Sequence, residues 1–269
     1  MRDADAGFGV SRRARSRALL AAACLLPCSF AGLAAAQGVV SRSPNLTDGW
    51  VEATGTLQFN FNHRFWLLDT PQGHSVQNTP SFLLAAPLPG PLLLGGQYAS
   101  NSQQAGQPSE WEVFVRWAPD AALGPLTWAL TGAYNGAAES TDGELAVRLP
   151  IALPEGSPVD SIGLLGAGRI FADVYDEGVP GWFAGGGVVL HFGEGFSISG
   201  DAGQATVDSE AATEVWGAAL QFRIPVSPHT LSLIATNART GTLQGSSLGR
   251  RTVWGFEFTI PISLDRYFQ

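Results

Sequence analysis

RTVWGFEFTIPISLDRYFQ, residues 251–269, closes the chain and decides how the rest is read. Trp254, Phe256, Phe258, Ile260 and Ile262 share one parity, and Val253, Gly255, Glu257 and Thr259 the other. Successive side chains of a strand point to opposite faces, so this alternation predicts a strand with one apolar and one more polar face. Such a strand needs partners.

Upstream, the same pattern recurs. Thr54–Leu68 places Leu57, Phe59, Phe61, Phe65 and Leu67 opposite Gln58, Asn60, Asn62 and Arg64, with His63 interrupting the apolar face. Glu110–Ala118 places Trp111, Val113, Val115 and Trp117 opposite Glu110, Glu112 and Arg116. Asp142–Ile151 sets Leu145, Val147, Leu149 and Ile151 against Glu144 and Arg148. Further strands are predicted over Ser81–Ala86, Leu92–Ser100, Leu126–Asn135, Ser161–Val174, Trp182–Phe192, Phe196–Asp201, Glu214–Ile224 and Thr230–Thr236. With the closing strand this makes about 12. Polar runs at 69–80, 101–109, 202–212 and 237–250 are predicted loops, and Pro87–Gly90 and Gly193–Gly195 tight turns. Connections after odd-numbered strands are mostly longer than those after even-numbered ones.

The N-terminus reads as an export signal. Arg12, Arg13, Arg15 and Arg17 precede an apolar run from Ala18 to Leu33, and Ala34-Ala35-Ala36 offers a small-residue cleavage site. Residues 1–36 are therefore expected to be a signal peptide, 37–53 a short periplasmic segment and 54–269 the folded domain. Cleavage removes Cys24 and Cys28, the two cysteines, so no disulfide framework follows. It also removes five Arg and two Asp, leaving 10 basic and 21 acidic residues, net −11. That balance argues against nucleic acid as a partner. After Ala36 no stretch reaches 18 consecutive apolar residues, so a membrane helix is not expected.

These features predict an all-β fold: a transmembrane up-and-down antiparallel β-barrel of about 12 strands after a cleaved signal peptide. An even strand count and alternating apolar and polar positions suit that architecture. Closure removes the sheet edges that a membrane forbids. Trp111, Trp117, Trp128, Tyr134, Trp182, Trp216 and Trp254 lie near predicted strand ends, where aromatic girdles form at bilayer interfaces. A charge facing lipid near the midplane costs ~2–4 kcal/mol. Arg64, Glu112, Arg116, Glu144, Arg148, Arg169, Asp173, Arg223 and Glu257 are accordingly expected to line the lumen. Three pairs (Glu112 and Arg116, Glu144 and Arg148, Arg169 and Asp173) sit four residues apart on single strands. That is about 13 Å, too far to pair within a strand, so their partners are expected on other strands.

The stretches FNFNHRF (59–65), LAAPLPGPLLLGGQYASNS (84–102), EWEVFVRWAP (110–119) and AYNGAAESTDGE (133–144), with the DRYFQ ending, carry a family resemblance. Together they resemble an uncharacterised family of exported bacterial outer-membrane β-barrel proteins, distantly similar to small barrels that transport hydrophobic compounds. The resemblance implies outer-membrane location and the aromatic ending as an assembly signal, with the barrel-assembly machinery and outer-membrane lipid as expected partners; the even strand count and the alternating loop lengths put both termini on the periplasmic side. Pro261 within the closing strand and Gln269 at the end depart from that pattern.

Catalytic chemistry is not evident. His63, His74, His191 and His229 are the four histidines, and none neighbours a nucleophile motif such as G-x-S-x-G. No metal-ligand spacing occurs. Asp173, Asp176 and Glu177 read as a solvated acidic loop rather than a calcium site. No cofactor is expected. The leading reading is a narrow channel or small-solute transporter with a charged lumen. The alternatives are a structural barrel plugged by its own ion pairs, a membrane-embedded lipid hydrolase, and a soluble periplasmic lipid-binding barrel.

Overall fold

The computed structural model describes residues 41–264 apart from 53, 72, 101–108, 120–124, 176–177 and 208–209. The expected signal peptide, the DRYFQ ending, and Asp176 and Glu177 lie outside the described residues. Twelve strands run β1 (Thr56–Thr70), β2 (Gly73–Leu88), β3 (Leu92–Ala99), β4 (Glu110–Trp117), β5 (Thr127–Asn135), β6 (Ser140–Ala152), β7 (Ser161–Phe171), β8 (Gly181–Phe192), β9 (Phe196–Val207), β10 (Glu210–Arg223), β11 (Thr230–Ala238) and β12 (Gly249–Ser263). Each pairs antiparallel with its sequence neighbour, and β12 pairs with β1 to close the barrel. The seam runs from Thr56↔Ser263 through Phe61↔Phe258 to Phe65↔Trp254, and Pro261 sits within it opposite Gln58.

The alternation sets the two faces in the reverse sense to a soluble barrel. In β4, Trp111, Val113 and Val115 are 44–48% exposed, while Glu110, Glu112 and Arg116 are at most 3% exposed. In β1, Gln58, Asn60, Asn62 and Arg64 are buried, and Phe59, Phe61 and Phe65 only partly so. Apolar side chains thus face outward and polar ones inward, as lipid outside the sheet requires. Aromatics form two groups on the outer face. Trp111, Tyr134, Trp182, Trp216 and Trp254 are exposed toward the end where β1 turns into β2. Trp117 packs edge-on against Trp128 (5.3 Å), and Phe196 lies between Phe192 and Phe222, at the opposite end.

Two expected loops are strand instead. The first hairpin continues through 69–80, with Asp69↔His74 and Thr70↔Gly73 in register. Likewise, β9 continues from Ala202 to Val207. Polar side chains do not stop a ladder, because its hydrogen bonds come from the backbone. The polarity there marks a change of surroundings, not the end of the strand. As a consequence the connections after β1 and β9 are short, and loop length alternates less than expected. At the other extreme, β7 ends at Phe171, before the expected Val174.

Candidate site in the barrel interior

The interior is filled by two inserts as well as by wall side chains. The first is the segment before β1. Expected as a periplasmic tail, residues 41–52 run inside the barrel: Ser43, Asn45, Leu46, Asp48 and Trp50 are all buried. The reason is complementarity with inward polar positions. Asn45 donates its backbone N–H and Nδ2 to the Asp201 carboxylate on β9 (2.9 and 2.7 Å), and accepts from the Thr236 hydroxyl on β11. The Thr47 hydroxyl donates to Glu144 on β6 (2.5 Å). Arg42 pairs with Glu257 on β12, and Asp48 lies 3.9 Å from Arg148 on β6. Glycines make the room. A Cβ on Gly217 would lie 2.6 Å from Asn45 Nδ2, and one on Gly187 3.4 Å from Leu46. Gly185 and Gly203 leave a slot for the Phe183 ring, where a Cβ would meet it at 2.5 and 2.4 Å. The 185–187 glycine run is thus a matter of close approach.

The second insert is the connection 239–248 between β11 and β12. Its residues Thr240, Thr242, Leu243, Gln244, Ser246 and Ser247 are buried. Thr240 and Thr242 donate hydroxyls to Glu110, and the Leu243 N–H donates to Glu112 (2.8 Å). Gln244 donates to Asp142 and to the Asp173 carbonyl. Tyr175 donates its hydroxyl to Glu110 (3.4 Å), and Arg239 stacks over its ring at 4.0 Å. Burial, with Glu110 beside it, pushes the Tyr175 phenol well above its ordinary value, so it stays a neutral donor.

Arg169 joins the two inserts. Its Nε donates to Glu144 at 2.8 Å. One Nη donates to the Asn45 carbonyl (2.8 Å); the other donates to the hydroxyls of Ser246 (2.9 Å) and Ser247 (2.8 Å). The guanidinium also lies over the Phe183 ring at 5.0 Å and is 1% exposed. Arg116 plays a related part on β4. It donates Nε to Thr131 and Nη1 to the Trp50 carbonyl (3.1 Å), and stands 4.0 Å from Glu144.

Of the nine charged residues expected to line the lumen, Arg64, Glu112, Arg116, Glu144, Arg169 and Glu257 are buried on the inner face. Arg148 is partly buried beside Asp48. Arg169 on β7 meets Glu144 on the adjacent β6, and Arg116 on β4 stands 4.0 Å from the same carboxylate across β5. The other two lie elsewhere. Arg223 is the last residue of β10; its side chain is 44% exposed and lies 3.9 Å from Glu194 in the next turn. Its parity is inward, but at the rim inward means water. Asp173 lies past the end of β7, where its carboxylate accepts the Gly178 N–H (2.8 Å) and so shapes a turn. Sequence reading passed over Glu110, Asp142 and Asp201 as lining positions, although all three follow the inward parity. Arg42, Asn45 and Asp48 carry no periodic signal at all.

Between the first insert and β1–β4 remains a cavity of about 70 Å³, lined by Arg42, Asn60, Asn62, Arg64, Glu112 and Glu257 among others. The histidines lie elsewhere. His63 packs among Phe61, Phe65 and Phe256 on the outer face, and His229 against Phe258. Among the described residues no group of three His, Cys, Asp or Glu side chains is placed to hold a metal.

No protein-family model matches the chain, and no curated protein matches it. Solved structures do. One is described as the KdgM porin, with TM-score 0.52 at 10% identity, covering 76% of this chain and 98% of that one. Another is an outer membrane channel from Pseudomonas putida F1, with TM-score 0.50 at 10% identity, covering 80% and 98%. At that identity the likeness is one of fold: this chain shares the closed barrel architecture of bacterial outer-membrane channels.

Proposed function

We propose that the protein is a channel or transporter for small solutes in the bacterial outer membrane, held closed at rest by its N-terminal segment. The observation that carries this reading is the sheet turned inside out. Apolar residues face outward, and a polar, charged interior contains the segment that leads into β1. Export through the N-terminal signal, lipid contact and delivery by the barrel-assembly machinery belong to the same reading. So do periplasmic termini: 41–52 then enters the barrel from the periplasm. The interior charges Arg64, Glu112, Arg116, Glu144, Arg148, Arg169 and Glu257 select among solutes once the segment withdraws.

A second reading, a structural barrel that never opens, draws on Arg169, which ties both inserts to one wall position. Planar-bilayer recording separates the two. Wild type should show low or intermittent conductance, and a variant lacking residues 41–50 should conduct several-fold more. A deletion variant that assembles yet stays silent favours the structural barrel. Recovery of wild type as a soluble periplasmic monomer, rather than in urea-washed outer membranes, defeats both.

A further inference from the structure

Besides Arg239 of the second insert, which stacks over Tyr175, five arginines lie in or against the interior: Arg42, Arg64, Arg116, Arg148 and Arg169. Four face a carboxylate within ion-pair distance. Arg42 has Glu257, Arg148 has Asp48, and Arg116 and Arg169 share Glu144. Arg64 differs. It is 3% exposed, its Nη1 donates to the Ala238 carbonyl (3.0 Å), and its Nε has no protein partner. Among the described residues no carboxylate pairs with it. Asp201 and Glu110 act on it only from beyond ion-pair distance, and a buried guanidinium without a contacting counter-charge is costly, so the site favours an anion.

Arg64 lines the 70 Å³ cavity, and so does Asn62 two residues before it on the same face of β1. Asn62 donates Nδ2 to Glu257 (3.4 Å), while its Oδ1 is buried with no protein partner. The two carboxylates on the cavity wall are already engaged. Glu257 accepts from Arg42, Asn60, Asn62 and Thr259, and Glu112 from Gln97 and the Leu243 N–H. What the cavity wall leaves open is one cationic donor and one neutral acceptor, with the Ser43 hydroxyl beside them.

We propose that this cavity binds a small oxyanion that also carries a hydroxyl group, such as hydrogenphosphate or a short hydroxycarboxylate. The anionic oxygen accepts from Arg64 Nε, and the hydroxyl donates to Asn62 Oδ1. The volume sets the size. It is several times the ~10–15 Å³ that one water needs, enough for a compact anion of a few heavy atoms and too little for an oligomer. Charge-assisted hydrogen bonds to a guanidinium are the strong ones, so Arg64 anchors and Asn62 discriminates.

Binding does not require conductance, so it is measured on the full chain in detergent, by calorimetry and by Trp fluorescence, since Trp50 also lines the cavity. The probes are inorganic phosphate and glycolate, with sulfate and acetate as anions lacking the hydroxyl donor, all at matched ionic strength and pH 7.5. Wild type should bind phosphate and glycolate saturably, and sulfate and acetate more weakly. Arg64→Gln should weaken binding about tenfold or more, the size expected for losing a hydrogen bond to a charged group. Asn62→Asp supplies an internal carboxylate beside Arg64 and should abolish anion binding while keeping the heat-modifiable mobility of a folded barrel. Arg223→Gln, at the exposed rim, should bind as wild type does. Absence of saturable binding to wild type, or affinity unchanged in folded Asn62→Asp, overturns the site. Equal affinity for all four anions overturns the role of Asn62.

Discussion

The two inserts fill one interior by different physical means. The 239–248 connection is fixed at both ends and folded on itself: Ser246 N–H and Oγ donate to the Thr242 carbonyl (2.9 and 2.7 Å), Ser247 Oγ to the Leu243 carbonyl, and Arg239 N–H to the Gly245 carbonyl. It offers the wall hydroxyls and amides, and among the described residues it makes no ion pair. Residues 41–52 run into the wall where β1 begins. They are held by charge, through Arg42 with Glu257 and Asp48 with Arg148, and by polar contacts to Glu144, Asp201 and Arg116. A doubly tethered, self-bonded loop behaves as part of the wall, because leaving means refolding. A segment held by separate ion pairs and polar contacts to the wall can exchange those partners for water one at a time. On that difference rests the proposal that the segment, not the loop, is the moving part.

Arg169 is where the comparison breaks most readily, since it serves both inserts. Arg169→Met leaves Glu144 buried with Arg116 at 4.0 Å as its remaining counter-charge. Removing one partner of a buried pair costs ~3–5 kcal/mol. Urea unfolding of the refolded barrel in detergent should show a loss of that order, and Arg169→Met with Glu144→Met should recover most of it. A single variant as stable as wild type would falsify the bridging role.

Parity made the wall legible. The alternation in β4 and β12 assigns Trp111, Val115 and Phe256 outward and Glu112, Arg116 and Glu257 inward, and the burial of these side chains agrees. Strand ends were less so: 69–80 reads as loop because polar residues mark departure from lipid while the ladder continues. The inserts were not legible. Pro44, Asn45 and Asp48 have the composition of any exposed tail, and the Gly, Ser and Thr of 239–248 that of any surface loop. Their burial depends on acceptors such as Asp201 and Glu110, distant in sequence and invisible to local pattern. Arg223 shows the converse limit: correct parity, yet a rim position.

Two further changes separate the inserts. Arg116→Gln with Arg148→Gln removes holds on Trp50 and Asp48 without touching the loop. The charged hydrogen bond from Arg116 to the Trp50 carbonyl is worth ~1.5–3 kcal/mol, and the 3.9 Å ion pair of Arg148 with Asp48 is lost as well. Channels should open more often, and reversal potentials under a salt gradient should move toward cation preference. Conductance and selectivity equal to wild type in a folded double variant would leave both arginines without that role. Glu110→Gln acts on the loop instead, disturbing the carboxylate that accepts from Thr240, Thr242, Asn135 and Tyr175. It should cost ~1–3 kcal/mol in unfolding experiments and leave closed-state conductance unchanged. A rise in conductance would make the loop a gate as well.

The smallest change is the most selective. Gly217 on β10 pairs with Asp201 and Thr236, which hold the Asn45 side chain. A methyl there would lie 2.6 Å from Asn45 Nδ2 and 2.8 Å from Pro44 Cβ. Both contacts belong to the segment, so the wall is untouched and the segment must shift. Gly217→Ala should therefore weaken the seated state by about 1 kcal/mol, the low end for overpacking, because the segment yields. Gly203→Ala is the matched contrast. Its methyl meets the Phe183 ring at 2.4 Å and the Ala184 carbonyl at 2.8 Å, both in the wall. That variant should lower the urea midpoint without opening the channel. The decisive background is the deletion of 41–50, where Gly217→Ala has nothing to displace. There it should change neither stability nor conductance, whereas Gly203→Ala should cost the same as in the full chain. An effect of Gly217→Ala that persists in the deletion background would place its action in the wall and remove the argument that this glycine exists to seat the segment.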